Sequence, residues 1–227
     1  MHIPDGYLGP QTYGSLWAVM IPVWSWASRQ LRRTLAARQV PFLAIGAAFS
    51  FVVMMFNIPA PGGTTGHAVG ATLVAIVLGP WAAMITTSIA LIVQALLFGD
   101  GGITAIGANC FNMAVLMPLS GYAIYRLCSW RAFRNGKRRI WAAGLAGYLS
   151  LNLAALSTAI ELGVQPGLAH RLDGTPLYCP YSLKVTVPVM LTEHLLLFGW
   201  IEGVLTAVVV AYLLRTDPAV FLGSDRS

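Results

Sequence analysis

Apolar residues along this chain do not alternate with polar ones as in a half-buried strand. They come in long, nearly unbroken runs, at about 12–28, 41–57, 67–78, 81–98, 104–128, 138–162 and 184–214. An apolar run of about 18 residues or more reads as a helix crossing a membrane. The stretch 67–98 needs separate argument, because a single helix over it would measure about 48 Å at 1.5 Å per residue. That exceeds a hydrocarbon core of roughly 30 Å. Gly79-Pro80 lies near its middle and pairs a helix stop with a residue suited to a helix start. Two short spans are therefore expected. The pattern predicts an all-α integral membrane protein, a bundle of seven transmembrane helices forming one domain over 1–227, with residues 1–11 as a separate N-terminal segment. No internal repeat is evident, which disfavours an inverted-repeat carrier.

Composition supports a membrane setting: 57% of residues are hydrophobic and 10% charged, against roughly 25% charged in soluble domains. The net charge of +6 does not imply a nucleic-acid partner. Most of the basic residues occupy two segments between apolar runs, Arg29, Arg32, Arg33 and Arg38, then Arg126, Arg131, Arg134, Lys137, Arg138 and Arg139. Basic loops of this kind face the cytoplasm. Both clusters lie on one side only if the chain breaks at Gly79-Pro80, which places the N-terminus outside and the C-terminus in the cytoplasm. His2, His67 and the loop Gly99 to Gly102 then share the outer side. Cys110, Cys128 and Cys179 have no metal-type spacing and receive no role. No basic region precedes the first run, so no cleavable signal is expected. The bulky His2 should leave Met1 in place.

The first residues, Met1-His2-Ile3-Pro4-Asp5-Gly6-Tyr7-Leu8, carry the most chemistry. The α-amine, the deprotonated amide nitrogen of residue 2 and Nδ1 of His2 can close five- and six-membered chelate rings around one metal. A fourth nitrogen would complete a square plane, which suits Ni(II) or Cu(II) better than tetrahedral Zn(II). His67, at the end of Pro59-Ala60-Pro61-Gly62-Gly63-Thr64-Thr65-Gly66-His67, is the natural candidate. The glycines there would let backbone pass close to an inserted N-terminal segment. The amine and amide must lose protons on ligation, so affinity should fall in acid. Ionisable and amide side chains inside spans are costly unless partnered. Asn109, Asn112, Glu193 and His194 could orient the His67 or His2 ring, or could simply hydrogen-bond between helices. Asp100 reads as a turn residue. The Gly- and Pro-rich loop from Gly163 to Tyr181 could cap a site.

Four motifs in order resemble the NikM/CbiM family, the substrate-binding subunits of energy-coupling-factor nickel and cobalt transporters. They are Met1 to Leu8; Gly62-Gly63-Thr64-Thr65-Gly66-His67; Leu97-Phe98-Gly99-Asp100-Gly101-Gly102-Ile103-Thr104-Ala105 through Ala108-Asn109-Cys110-Phe111-Asn112-Met113; and Glu193-His194 with Gly199-Trp200-Ile201-Glu202-Gly203. The resemblance implies a seven-helix fold whose N-terminal end inserts into the binding pocket. It implies metal ligation by the Met1 amine, the His2 amide and ring, and His67. It also implies three kinds of partner: a transmembrane coupling protein, two cytoplasmic ATPase subunits and a small accessory membrane protein, which would be separate because no fused module follows the last run. The expected setting is a prokaryotic cytoplasmic (inner) membrane.

On this reading the chain is not an enzyme and has no cofactor of its own. Its substrate is Ni(II) or Co(II), with Pro4-Asp5-Gly6-Tyr7 leaning toward nickel. Loops 58–66 and 99–103 would close over the ion. Small residues on the second span, Ala44 and Ala48, are candidates for contact with the coupling protein. No phosphate-binding Gly-rich loop with Lys and Ser/Thr is present, so energy must come from the partners. The alternatives are a zinc-dependent membrane enzyme, which lacks a second His at helical spacing and any nucleophile elbow, and a stand-alone secondary metal carrier.

Overall fold

The computed structural model describes residues 1–34, 40–60, 64–130 and 136–217. Arg38, Gly62, Gly63, Arg131 and Arg134 lie outside the described residues. The elements are α1 (Pro10–Thr34), α2 (Val40–Met54), β1 (Ile58–Ala60), β2 (Thr64–Gly66), α3 (Ala71–Leu78), α4 (Pro80–Val93), α5 (Ile106–Cys110), α6 (Met117–Cys128), α7 (Gly136–Gly163), α8 (Gln165–Leu168), α9 (Leu183–Glu193) and α10 (Gly199–Thr216). Three π-helical turns, Gln94–Phe98, Phe111–Leu116 and His194–Phe198, extend α4 and join α5 to α6 and α9 to α10. Among the described residues three helical stretches are long and apolar enough to cross a membrane: Pro80–Phe98, Gly136–Leu168 and Leu183–Thr216.

The chain does break at Gly79-Pro80. Gly79 adopts φ 90° and Pro80 opens α4, so α3 and α4 pack against each other instead of forming one rod. Helix α3 begins later than the apolar run that contains it. Gly70 sits at φ +75°, where an added Cβ would lie 2.5 Å from the Phe49 ring, and residues 67–70 stay outside the helix. His67 is thereby carried on irregular backbone, free of the helix's side-chain directions.

Helix α7 forms the spine and packs on α6, α9 and α10. Its approach to α10 depends on glycine, since a Cβ on Gly203 would come within 2.8 Å of the Gly144 carbonyl oxygen. Helix α1 lies along α4 and α5, held by Trp17 Nε1–H donating to the Thr104 carbonyl (2.9 Å) and Trp24 Nε1–H donating to Ser88 Oγ (2.9 Å). The largest buried cluster joins Met1, Met20, Val69, Leu91, Met113, Leu151, Met190 and Phe198. Large apolar side chains such as Trp141, Leu97, Leu196 and Phe56 are exposed, an outer surface that fits lipid better than water. Ala44 and Ala48 face outward on α2, away from the buried Gly46.

Candidate metal centre

Residues 1–9 are threaded into the bundle and held along their length. The Ile3 amide donates to Asn109 Oδ1 (2.8 Å) and the Ile3 carbonyl accepts from Asn109 Nδ2 (3.1 Å) and from the Gly102 amide (2.9 Å). Asp5 accepts from the amides of Ile103 (3.0 Å) and Thr104 (2.9 Å) and from the Thr104 hydroxyl. Gly102 has to be glycine for this approach, because a Cβ would lie 2.4 Å from the Asp5 nitrogen. Farther along, the Gly9 amide donates to Gln165 Oε1 (2.9 Å) and the Cys179 amide to the Tyr7 carbonyl (3.1 Å). The segment 163–181 thus lies against the inserted N-terminus.

This threading brings Met1, His2 and His67 together. The Met1 amine is buried and donates a long contact of 3.4 Å to the Thr65 carbonyl. The His2 and His67 rings stack with centroids 4.7 Å apart and planes at 28°. His67 Nδ1 lies 2.9 Å from the Ala68 carbonyl oxygen. A carbonyl can only accept, so Nδ1 carries the proton and the buried Nε2, which has no hydrogen-bond partner, holds a lone pair. His2 Nδ1 is 2.9 Å from Asp100 Oδ1, an ion-pair separation without the alignment of a hydrogen bond. Among the described residues the His2 amide makes no hydrogen bond. Nor do these residues contain a metal-sized group of three or more His, Cys, Asp or Glu side chains. What converges instead is a terminal amine, a free amide and two imidazoles.

Electrostatics favour the neutral, donor-ready forms. Burial lowers the Met1 amine from 8.0 to about 6, against the opposing pull of Asp100 and Glu193. Burial likewise lowers His2 below 6.5, against the raising effect of Asp100 beside it. Half-burial pushes the Asp100 carboxyl up, but the imidazole and the amine outweigh it and hold it below the usual carboxylate range. The Thr104 hydroxyl and amide, with the Ile103 amide, hold exposed Asp5 low as well.

The other sequence candidates divide. Asn109 clamps the Ile3 backbone and so positions the residue after His2. Asn112 faces α7, its Nδ2 donating to Thr158 Oγ1 (3.1 Å) and Glu161 Oε2 (2.8 Å). His194 Nδ1 pairs with the Met190 carbonyl (2.8 Å), not with either ring. Glu193 is close enough to act on the charge of the Met1 amine. Sequence reasoning assigns Asp100 only a turn, whereas its carboxylate meets His2. Glu202, another ionisable residue inside the last span, accepts from the amides of Val69 (2.7 Å) and Gly70 (3.1 Å) and so fixes the backbone that carries His67.

Residues 2–220 match the family described as cobalt uptake substrate-specific transmembrane region, CbiM. The chain is 51% identical over 218 residues to the fused nickel transport protein NikMN of Rhodobacter capsulatus, covering 96% of this chain and 63% of that one. It is 50% identical over 221 residues to LarMN of Lactiplantibacillus plantarum, described as a probable fused nickel transport protein, covering 96% and 66%. The chain therefore spans less than two thirds of the length of these fused relatives. A crystal structure of a transition metal transporter superposes with a TM-score of 0.90 at 51% identity, covering 99% of this chain and 97% of that one. The fold thus has a close counterpart in a transition metal transporter, and the chain belongs to the CbiM/NikM family.

Proposed function

We propose that this chain is the substrate-binding subunit of an ATP-driven, energy-coupling-factor importer for nickel or cobalt, capturing the ion from the outer side of a prokaryotic cytoplasmic membrane. The observation that carries the reading is the convergence of the buried Met1 amine, the free His2 amide and ring, and the lone pair of His67 Nε2. Met1, through its amine, and His2, through its amide and ring, supply three nitrogens of a square plane, with His67 Nε2 as the fourth. His2 Nδ1 lies toward Asp100 in this structure, so chelation requires the imidazole to swing off the carboxylate. Asp100 then acts as the switch partner that holds the ring until metal arrives. Asn109 and Glu202 position the two halves of the site. Asn112, Glu193 and His194 form its surroundings, on the second π turn, the end of α9 and the start of the third π turn.

Seven spans, with the N-terminus outside and the C-terminus inside, are the topology that keeps both arginine clusters cytoplasmic. The partners are a transmembrane coupling protein, two cytoplasmic ATPases and an accessory membrane protein. The fused names of the two longer nickel relatives support an accessory component. The exposed Ala44 and Ala48 offer a small-residue face to the coupling protein. Nickel is favoured over cobalt because relatives named for nickel are 50% and 51% identical, whereas a cobalt transport protein CbiM of Roseiflexus is 35% identical. A zinc enzyme finds no support in a donor set built on backbone nitrogens.

The test is stoichiometry and visible absorption with nickel and cobalt, comparing the chain with a free Met1 amine with the same chain acetylated at that amine. One bound ion lost on acetylation supports the reading. Equal binding by both versions sinks it.

A further inference from the structure

Ser25, Ser28, Arg29 and Arg32 recur on α1 at separations of three and four residues and therefore share one face of the helix. Together with Trp24 they line a cavity of about 420 Å³. Its aromatic wall is held in place, since Trp24 Nε1–H donates to Ser88 Oγ (2.9 Å) and the ring meets Trp17 edge-on with centroids 5.7 Å apart. The two arginines are exposed and, among the described residues, form no hydrogen bond or ion pair. The surrounding sequence offers them no counter-charge. No acidic residue occurs between Asp5 and Asp100, so α1 to α4 contain none.

Tryptophan marks the depth of this cavity. Trp26 on α1 packs edge-on against Trp81, the second residue of α4, with centroids 4.3 Å apart, and indoles gather where the bilayer meets water. Farther back along α1, Val19 and Ile21 are exposed, as a lipid-facing helix requires. From Trp24 to Arg32 the cavity runs about 12 Å along the axis, at 1.5 Å per residue. It passes from an indole, through two hydroxyls, to two guanidiniums. A glycerophospholipid presents its acyl chain, its glycerol oxygens and its phosphate in the same order. Guanidinium is suited to phosphate, which it grips with paired N–H donors. A soluble acidic protein would meet the arginines but not Trp24 and Ser25, which lie back in the apolar run. Free phosphate would likewise use the arginines alone.

We propose that this face of α1 binds one anionic glycerophospholipid, its phosphate on Arg29 and Arg32, its glycerol oxygens on Ser28 and its first acyl carbons on Trp24. The site is separate from the metal centre and needs from the transport reading only that the bundle lies in a bilayer. Helix α1 starts at Pro10, directly after the threaded segment, so a lipid held near its far end fixes how deep the helix sits.

The experiment is native mass spectrometry of the purified full chain, released from micelles holding equal amounts of phosphatidylglycerol and phosphatidylcholine, with inorganic phosphate as a separate competitor. The native chain is expected to retain one phosphatidylglycerol in preference to phosphatidylcholine by at least about tenfold, the order that two basic residues give at an anionic surface. In R29Q/R32Q the preference should fall below about twofold. In S28L, which keeps both charges and removes the hydroxyl, retention should fall about threefold or more. Inorganic phosphate should not displace the lipid. Equal retention of the two lipids, or a preference that survives R29Q/R32Q, would overturn the proposal. Displacement by inorganic phosphate would overturn it too, by making the arginines an anion site open to water. An S28L chain with undiminished retention would put the lipid outside this cavity. If R29Q/R32Q keeps its lipid but no longer co-purifies with the ATPase subunits, the face serves an acidic soluble partner instead. Thermal unfolding in phosphatidylcholine alone checks that both variants are folded, and S28L carries the test if R29Q/R32Q is not.

Discussion

At the scale of single residues, burial of the terminal amine decides how protons are linked to metal. The Met1 amine titrates near 6 instead of 8.0 because burial strips its water. Folding depresses the pKa of this cation, so docking is fully favourable above pH 8 and is eroded as pH falls from 8 toward 6. Each tenfold loss of proton affinity corresponds to about 1.4 kcal/mol. At pH 7.5 the amine is already largely neutral, and His2 is lowered in the same direction. Proton release on nickel binding, measured by calorimetry in buffers of different ionisation enthalpy, is therefore expected to be close to one per ion, from the His2 amide. It should climb toward two as pH drops to 6, where the amine must also deprotonate. Release near two at pH 7.5 would contradict a neutral buried amine. The pairing of Met1 with His2 was suggested by the sequence because a chelate of amine, amide and ring needs only covalent neighbours, and the structure brings His67 beside them. The roles of Asp5 and Asp100 and the partner of Glu202 were not legible in the sequence, because the contacts lie far apart in the chain: Asp5 reaches Ile103 across 98 positions, and Glu202 reaches Val69 across 133. No local pattern reports such pairings.

At the scale of elements, the break at Gly79-Pro80 was legible because proline and glycine act locally. The short ribbon β1–β2 and the π turns were not, since both answer to tertiary packing. The ribbon shows how packing overrides pattern. A Cβ on Gly66 would fall 2.2 Å from the Phe198 ring, so β2 sits as close to the joint between α9 and α10 as backbone allows. Gly66→Ala must displace a fully buried aromatic ring and is expected to destabilise the protein by about 1–3 kcal/mol. It should also weaken nickel binding, by moving the residue before His67. Phe198→Leu frees space at that point, so the double variant should be more stable than the two single effects added together predict. Thermal unfolding of the four proteins reads this coupling directly, and simple additivity would mean that the ring and the ribbon are energetically independent.

At the scale of the whole molecule, the N-terminal segment is the piece on which separate parts of the bundle close. It bonds to the 102–104 loop through Ile3 and Asp5, to α5 through Asn109, to α8 through Gly9 and Gln165, to Cys179 through Tyr7, and to β2 through the amine. These contacts do not depend on metal, but the ion would add its own binding free energy to the docked form alone. Such linkage stabilises by about 2.7 kcal/mol when free ligand is a hundredfold above its dissociation constant. The amides of Gly102 and Cys179, which donate into this segment, and of Gly9, which donates from it to Gln165, are therefore reporters of docking. With nickel, their hydrogen exchange should slow roughly a hundredfold in the native chain, while amides in the crossing of α7 and α10 change little. In the chain with one extra N-terminal residue, the same three amides should exchange fast with or without nickel. Uniform slowing across the bundle would instead mean that the ion tightens the whole fold, and that the N-terminus is not a separately opening unit. Local slowing alone is what a capture subunit needs, because a segment that can undock without unfolding the bundle is one that can let the ion go.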